Sequence, residues 1–196
     1  MRIATYDLEI KKAITSRGEI EIEGIEYCAG WHDHANMGIS CIGAWDSKTD
    51  SPRVYLTDNL IEFQRLINNA DVLVSYNGIP FDNHLLRANG FKIEDAKCYD
   101  LLREIWLASG LPPTFNYKTH GGFGLDAVCD ANFGSRKSGN GALAPVLWQR
   151  GNIGEVIDYC LNDIRMTKQL FDFVISGKPI KCPKTGKPLQ LRVPQQ

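Results

Sequence analysis

Ile3-Ala4-Thr5-Tyr6-Asp7-Leu8-Glu9-Ile10 is short, apolar and rich in β-branched residues, the composition of a buried β-strand. Side chains alternate across a strand, so Asp7 and Glu9 share one face with Ile3 and Thr5. Two like charges side by side on a buried face are costly unless something positive stands between them. A divalent cation held by Asp-x-Glu is one solution. The other is a strand end that meets solvent, where both acids are wetted. The strand alone leaves both open, and partners further along the chain must decide.

Working outward, residues 11–37 read as an irregular stretch. It contains the alternating Glu19-Ile20-Glu21-Ile22-Glu23, the pattern of an exposed hairpin arm. Trp31-His32-Asp33-His34 follows, a polar surface loop or a metal half-site by its His-x-His, or a loop touching substrate with Trp31 as a stacking face. Gly38 to Trp45 and Arg53 to Leu56 read as antiparallel strands joined by the turn-rich Asp46 to Pro52. Asp58-Asn59 opens an amphipathic helix reaching about Asn69, with Leu60, Ile61, Phe63, Leu66 and Ile67 apolar. Val72 to Tyr76 is another buried strand. It runs into Asn77-Gly78-Ile79-Pro80-Phe81-Asp82 and a helix, with Pro80 suited to the first turn.

Residues 91–148 read as helical and loop-rich. Asp100 caps the helix starting at Leu101. Gly121 to Gly124 is a loop before a helix from Leu125, without the preceding strand or the spacing of a phosphate cradle. A glycine-rich loop, Gly134 to Gly141, carries Arg136 and Lys137, and the last long helix spans about Ile153 to Ile175. The order predicts an α/β fold of the ribonuclease H type: a mixed central sheet, a three-strand antiparallel meander plus parallel strands, flanked by helices. The expected division is 1–176 as that domain and 177–196 as a basic tail or small hairpin, with Thr185-Gly186 at its turn.

The 196 residues suit one domain with a sizeable core, and 43% hydrophobic and 23% charged content is ordinary for a globular protein. A net charge of −1 excludes a global field pulling the chain to nucleic acid or to an anionic membrane. A polyanion must then be held by a local basic patch or by bound metal. No apolar run approaches transmembrane length and the start has no signal-peptide core, so no membrane association and a cytoplasmic location are expected. The six cysteines are scattered without a C-x-x-C pair, which favours buried thiols over a disulfide framework.

Two more acids complete the pattern. Asp82 sits between a strand and a helix, where an acid also serves the helix dipole. Tyr159 and Asp163 lie one turn apart on the apolar stripe that Met166 and Leu170 extend, so Asp163 is expected to face inward, toward an ion pair or a metal. Together these residues resemble the DEDD family of 3′–5′ exonucleases. The Asp-x-Glu motif matches Asp7-Leu8-Glu9, Asn with Phe-Asp matches Asn77 and Phe81-Asp82, and Tyr-x-x-x-Asp matches Tyr159 to Asp163. The tyrosine variant is indicated, and the chain most resembles stand-alone or helicase-linked relatives, in bacteria and phages, of the family-B polymerase exonuclease domain.

The resemblance implies two divalent ions, Mg²⁺ or Mn²⁺. Asp7 would bridge both, Glu9 and Asp163 would hold the ion that activates water, and Asp82 would support the other. Tyr159 would orient the water, while Leu8 and Phe81 would contact the terminal base unless they serve only the core. The implied substrate is the 3′ end of single-stranded DNA or RNA, with DNA favoured, and the implied partners are replication or repair proteins. Asn77, Arg136 and Lys137 are candidate substrate contacts, with Lys118 and Arg150 as further phosphate contacts. The position after the Asp-x-Glu motif is often Thr or Ser in relatives, where it can help hold the terminal hydroxyl; here it is Ile10. A ribonuclease H-like endonuclease and a non-catalytic binding module are the alternatives on the same fold.

Overall fold

The computed structural model describes residues 1–15, 20–134 and 141–194. The elements in chain order are β1 (Ile3–Ile10), β2 (Ala13–Ile14), β3 (Tyr27–Cys28), α1 (His34–Met37), β4 (Ile39–Asp46), β5 (Ser51–Tyr55), α2 (Leu60–Asn69) and β6 (Val72–Ser75). There follow α3 (Asp82–Ala88), β7 (Cys98–Asp100), α4 (Leu101–Ala108), α5 (Leu125–Phe133), α6 (Ala144–Gln149), α7 (Ile153–Ile175), β8 (Ile180–Lys181) and β9 (Pro188–Leu189).

β1 is the middle strand of a five-stranded sheet of order β5-β4-β1-β6-β7. It pairs antiparallel with β4, and β4 antiparallel with β5; β6 and β7 are parallel to it. This is the expected meander with parallel strands added, a mixed α/β sheet flanked by helices and consistent with a ribonuclease H-like fold. A strand with neighbours on both sides and helices on both faces is covered on both, and β1 is buried at Ala4, Tyr6, Leu8 and Ile10 on one face and at Thr5 and Glu9 on the other. Ala4, Tyr6 and Leu8 join one core cluster with Phe63, Leu66 and Ile67 of α2 and Leu85 and Leu86 of α3. Fully burying side chains of that size stabilises by about 1.5–3 kcal/mol each. The opposite face is covered by α7, whose residues Cys160 and Ile164 pack with Cys41 of β4.

Gly43 sets how close α7 comes. It pairs with Asp7 across β1 and β4, and a Cβ there would meet Ile164 Cδ1 at 2.2 Å and Cys160 Sγ at 3.0 Å. No side chain fits, so the helix descends onto the sheet at the level of Asp7. Cys160 Sγ lies 3.5 Å from the Asp7 carbonyl at the same point.

Several expectations need correction. Ile20 to Glu23 form no strand: Ile20 is 94% exposed, and among the described residues no strand pairs with this stretch, while Glu19 lies outside the described residues. The pairing in that region is instead the two-residue parallel bridge of β2 and β3. Pro80 precedes α3 rather than sitting in its first turn, because the helix begins at Asp82. β7 and α6 were not anticipated. At 177–194 a small hairpin, β8 with β9, forms around Thr185-Gly186. Its Ile180, Leu189 and the following Leu191 are buried in a cluster with residues of α4, α5 and α7, so the segment is docked. All six cysteines are free thiols, five of them buried. Among the described residues no helix is long and apolar enough to cross a membrane.

Candidate metal centre and cleft

The alternation along β1 places Asp7 and Glu9 on the α7 face, and a register shift between Glu9 and Ile10 bends the strand as it leaves the sheet. α7 answers with Asp163, one turn after Tyr159 and inside a stripe of buried residues that includes Val156, Cys160, Met166 and Leu170. Asp7, Glu9 and Asp163 each present a carboxylate oxygen to one point, all within 4.8 Å of one another. Glu9 and Asp163 are buried and Asp7 is half-buried. Arg165 is exposed on the other side of the helix.

Asp82 stands outside that group of three but beside it. It is 5% exposed, and its carboxyl is pushed well above the usual carboxylate range by burial first, then by the charges of Asp7 and Asp100. Burial and both neighbouring acids thus disfavour its charge. Four acids, two from β1, one from the start of α3 and one from α7, thus gather at one end of the sheet. Such a set can hold hard divalent cations, which are bound by oxygen ligands and supply the missing positive charge.

The loop carrying Asp82 is held by groups whose role there the sequence did not show. Asp100 accepts N–H bonds from Asn77 at 2.9 Å and Ile79 at 3.1 Å, while capping α4 through Leu102 and Arg103 at 3.1 and 3.3 Å. Gly78 is held so tightly that a Cβ would lie 2.2 Å from Ser75 Oγ and 2.6 Å from Ser75 Cβ. Next to Asp82, the buried Asn83 accepts a hydrogen bond from the Tyr6 hydroxyl. Its amide donates to Asp95 at 2.8 Å and to Cys98 Sγ at 3.3 Å, so the orientation of α3 is fixed from β1. Burial drives the Tyr6 phenol well above its ordinary pKa, keeping it a donor. Gly43, Gly78 and Asn83 carry no motif, and nothing short of the packing would have found them.

A cleft of about 430 Å³ opens beside the acids, lined by Leu8, Glu9, Ile10, Ile14, Trp31, Phe81, Gly141, Ala142, Pro145 and Tyr159. Glu9 thus belongs both to the acidic group and to the cleft wall, and the buried Tyr159 joins it there. Gly141 lies close to Tyr159, since a Cβ there would come within 2.9 Å of its hydroxyl. Leu8 packs in the core and also lines the cleft, and Phe81 lines the cleft while half-buried against the same core.

The other candidates are not brought together. Asn77 is exposed at a turn with φ of 68°, a left-handed conformation Asn tolerates, and it lines a separate depression with Pro80, Asp100 and Phe115. Lys118 and Arg150 are exposed and line no part of the cleft. Arg136 and Lys137 lie outside the described residues. The His32-Asp33-His34 loop gains a third imidazole, His84 of α3, stacked on His34 with ring centroids 5.4 Å apart. Burial first, then His84 and His32, push the His34 pKa below its ordinary value, which favours neutral imidazole packing there.

No protein-family model matches the sequence, and no curated protein matches it. Solved structures do. The family B DNA polymerase from the hyperthermophilic archaeon Pyrobaculum calidifontis superposes with a TM-score of 0.58 at 16% sequence identity. The match covers 89% of this chain and 24% of that polymerase chain, so the present chain spans about a quarter of the polymerase's length. This chain therefore shares its fold with one part of a family B DNA polymerase.

Proposed function

We propose that this chain is a metal-dependent 3′–5′ exonuclease, hydrolysing phosphodiester bonds at the 3′ end of single-stranded nucleic acid, DNA in preference to RNA. The observation that carries the reading is the meeting of Asp7, Glu9 and Asp163 within 4.8 Å, from two distant parts of the chain. Asp82 is buried alongside under the influence of Asp7. The donor set fits Mg²⁺ or Mn²⁺, both of which prefer carboxylate oxygens. When bound, such ions polarise a phosphoryl oxygen and lower the pKa of a coordinated water. Asp7, Glu9, Asp163 and Asp82 would hold them.

The remaining residues bind and orient. A phenol is a hydrogen-bond donor at neutral pH, so Tyr159 would donate to the attacking water and orient it rather than act as base. Leu8 and Phe81 present apolar surface to the terminal nucleotide, as the cleft requires. With a net charge of −1, the protein has little field of its own to draw in a polyanion, which leaves attraction to the metal-loaded site. The fold shared with a family B DNA polymerase supports nucleic acid as the substrate class.

The test is a 5′-labelled single strand incubated with Mg²⁺ or Mn²⁺. It should shorten stepwise from its 3′ end, a 3′-blocked strand should survive, and Asp7→Asn should lower the rate by about a hundredfold or more. Internal cutting of the blocked strand at a comparable rate would replace this reading with an endonuclease.

A further inference from the structure

Trp31 is a large apolar side chain left 62% exposed at the mouth of the cleft, where burial contributes little to stability. Its position is nonetheless fixed. The ring meets Phe81 edge-on, with centroids 5.8 Å apart. The segment that carries it is clamped to α6 by Gln149, whose amide donates to the Lys11 and Glu26 carbonyls at 2.9 and 3.0 Å and accepts from Glu26 N–H at 2.7 Å. Asp33 closes the loop behind it, accepting from Ala29 N–H at 2.9 Å and from Asn36 at 2.6 Å. An exposed indole held this firmly beside a cleft is a preorganised stacking surface.

Ile10, Ile14, Phe81 and Pro145 give the cleft apolar surface that suits a base, beside the polar groups of Glu9 and Tyr159. We infer that Trp31 stacks on the 3′-terminal nucleobase and strengthens terminal-nucleotide binding, with Phe81 setting the angle of its ring. This rests on the exonuclease reading, and deepens it by assigning a specificity role to Trp31, between β3 and α1.

The probe is a 5′-fluorescent oligothymidylate ending in a normal nucleotide or in an abasic residue, bound in Ca²⁺ to slow cleavage. Trp31→Ala should weaken binding of the base-ended strand about tenfold, a loss of about 1.4 kcal/mol, and change the abasic-ended strand by less than about twofold. Trp31→Phe should keep most of the affinity while abolishing the quenching of indole fluorescence that the base-ended strand causes in the wild type. Equal weakening of both strands by Trp31→Ala would mean that the indole only packs on Phe81, and no weakening of either would mean that it contacts nothing; each overturns the inference while leaving the nuclease intact. A wild-type protein that binds neither strand would instead remove the nuclease reading and this one with it.

Discussion

Asp82 and Asp100 are both buried acids, 5% and 3% exposed, and they are held in opposite ways. Burial pushes both carboxyl groups up, but at Asp100 backbone N–H bonds from Asn77, Ile79, Arg103 and Leu102 push back. At Asp82 the neighbours that act are Asp7 and Asp100 itself, and they push further up. The first acid is an architectural part, converting four backbone donors into a fixed loop. The second is a cost the fold bears, of the kind that collects where a cation is to be bound. Residue type and burial are the same; only the surrounding donors separate structure from chemistry.

The sharpest way to break that contrast is to neutralise each acid. Asp82→Asn should reduce hydrolysis about a hundredfold or more and yet raise the melting temperature of the metal-free protein, because it removes a carboxyl whose ionisation burial and the neighbouring acids oppose. A fall in melting temperature would make Asp82 architectural after all. Asp100→Ala should cost about 3 kcal/mol, from a lost cap and newly unsatisfied N–H groups, which is a drop on the order of 10 °C in thermal denaturation.

Gly43 tests the contrast from the other side of the sheet. Gly43→Ala inserts a methyl against Ile164 and Cys160 and should cost about 1–3 kcal/mol in chemical denaturation. Activity measured well below the melting point should fall further than that loss explains, since lifting α7 carries Tyr159 and Asp163 away from β1. Activity unchanged in a folded Gly43→Ala protein would show that the approach of α7 is not what assembles the acids.

The smallest effect concerns pH, where the acids should differ in sign. The raised pKa of Asp82 means that the folded metal-free state binds a proton more readily than the unfolded chain. Its contribution to stability is favourable below the folded pKa and declines as pH rises through it. Asp46 behaves oppositely. Paired with Arg2 at 2.6 and 3.0 Å and with the Lys48 N–H, its carboxyl lies below the ordinary 3.8. Its contribution is present above that pH and lost as pH falls through the folded value. Acid titrations of stability should show Asp46→Asn weaker than wild type by about 1 kcal/mol at neutral pH and converging with it below about pH 4.

Much of this was legible before any coordinates. β1 and α7 announced themselves because eight and twenty-three residues are long enough to show a period, and α7 spans the expected Ile153 to Ile175. Alternation put Asp7 and Glu9 on one face and helical spacing turned Asp163 inward, but that the three converge was implied only by the resemblance. β7 and α6 could not be read, since three and six residues carry no period, and Asp100 at the junction of β7 and α4 showed only its cap. The Glu19 to Glu23 alternation misled because period two describes a strand only when one face has something to cover. Gly43 was silent because a missing side chain has meaning only once its neighbour is known.

The central claim, that four acids share divalent ions, is tested most directly by melting the protein across a Mn²⁺ titration at constant ionic strength, wild type beside Asp163→Asn. At a hundred times the dissociation constant the wild type should gain about 2.7 kcal/mol, roughly 5–10 °C, and the variant only a small fraction of that. Equal shifts in the two proteins, or none in either, would contradict it.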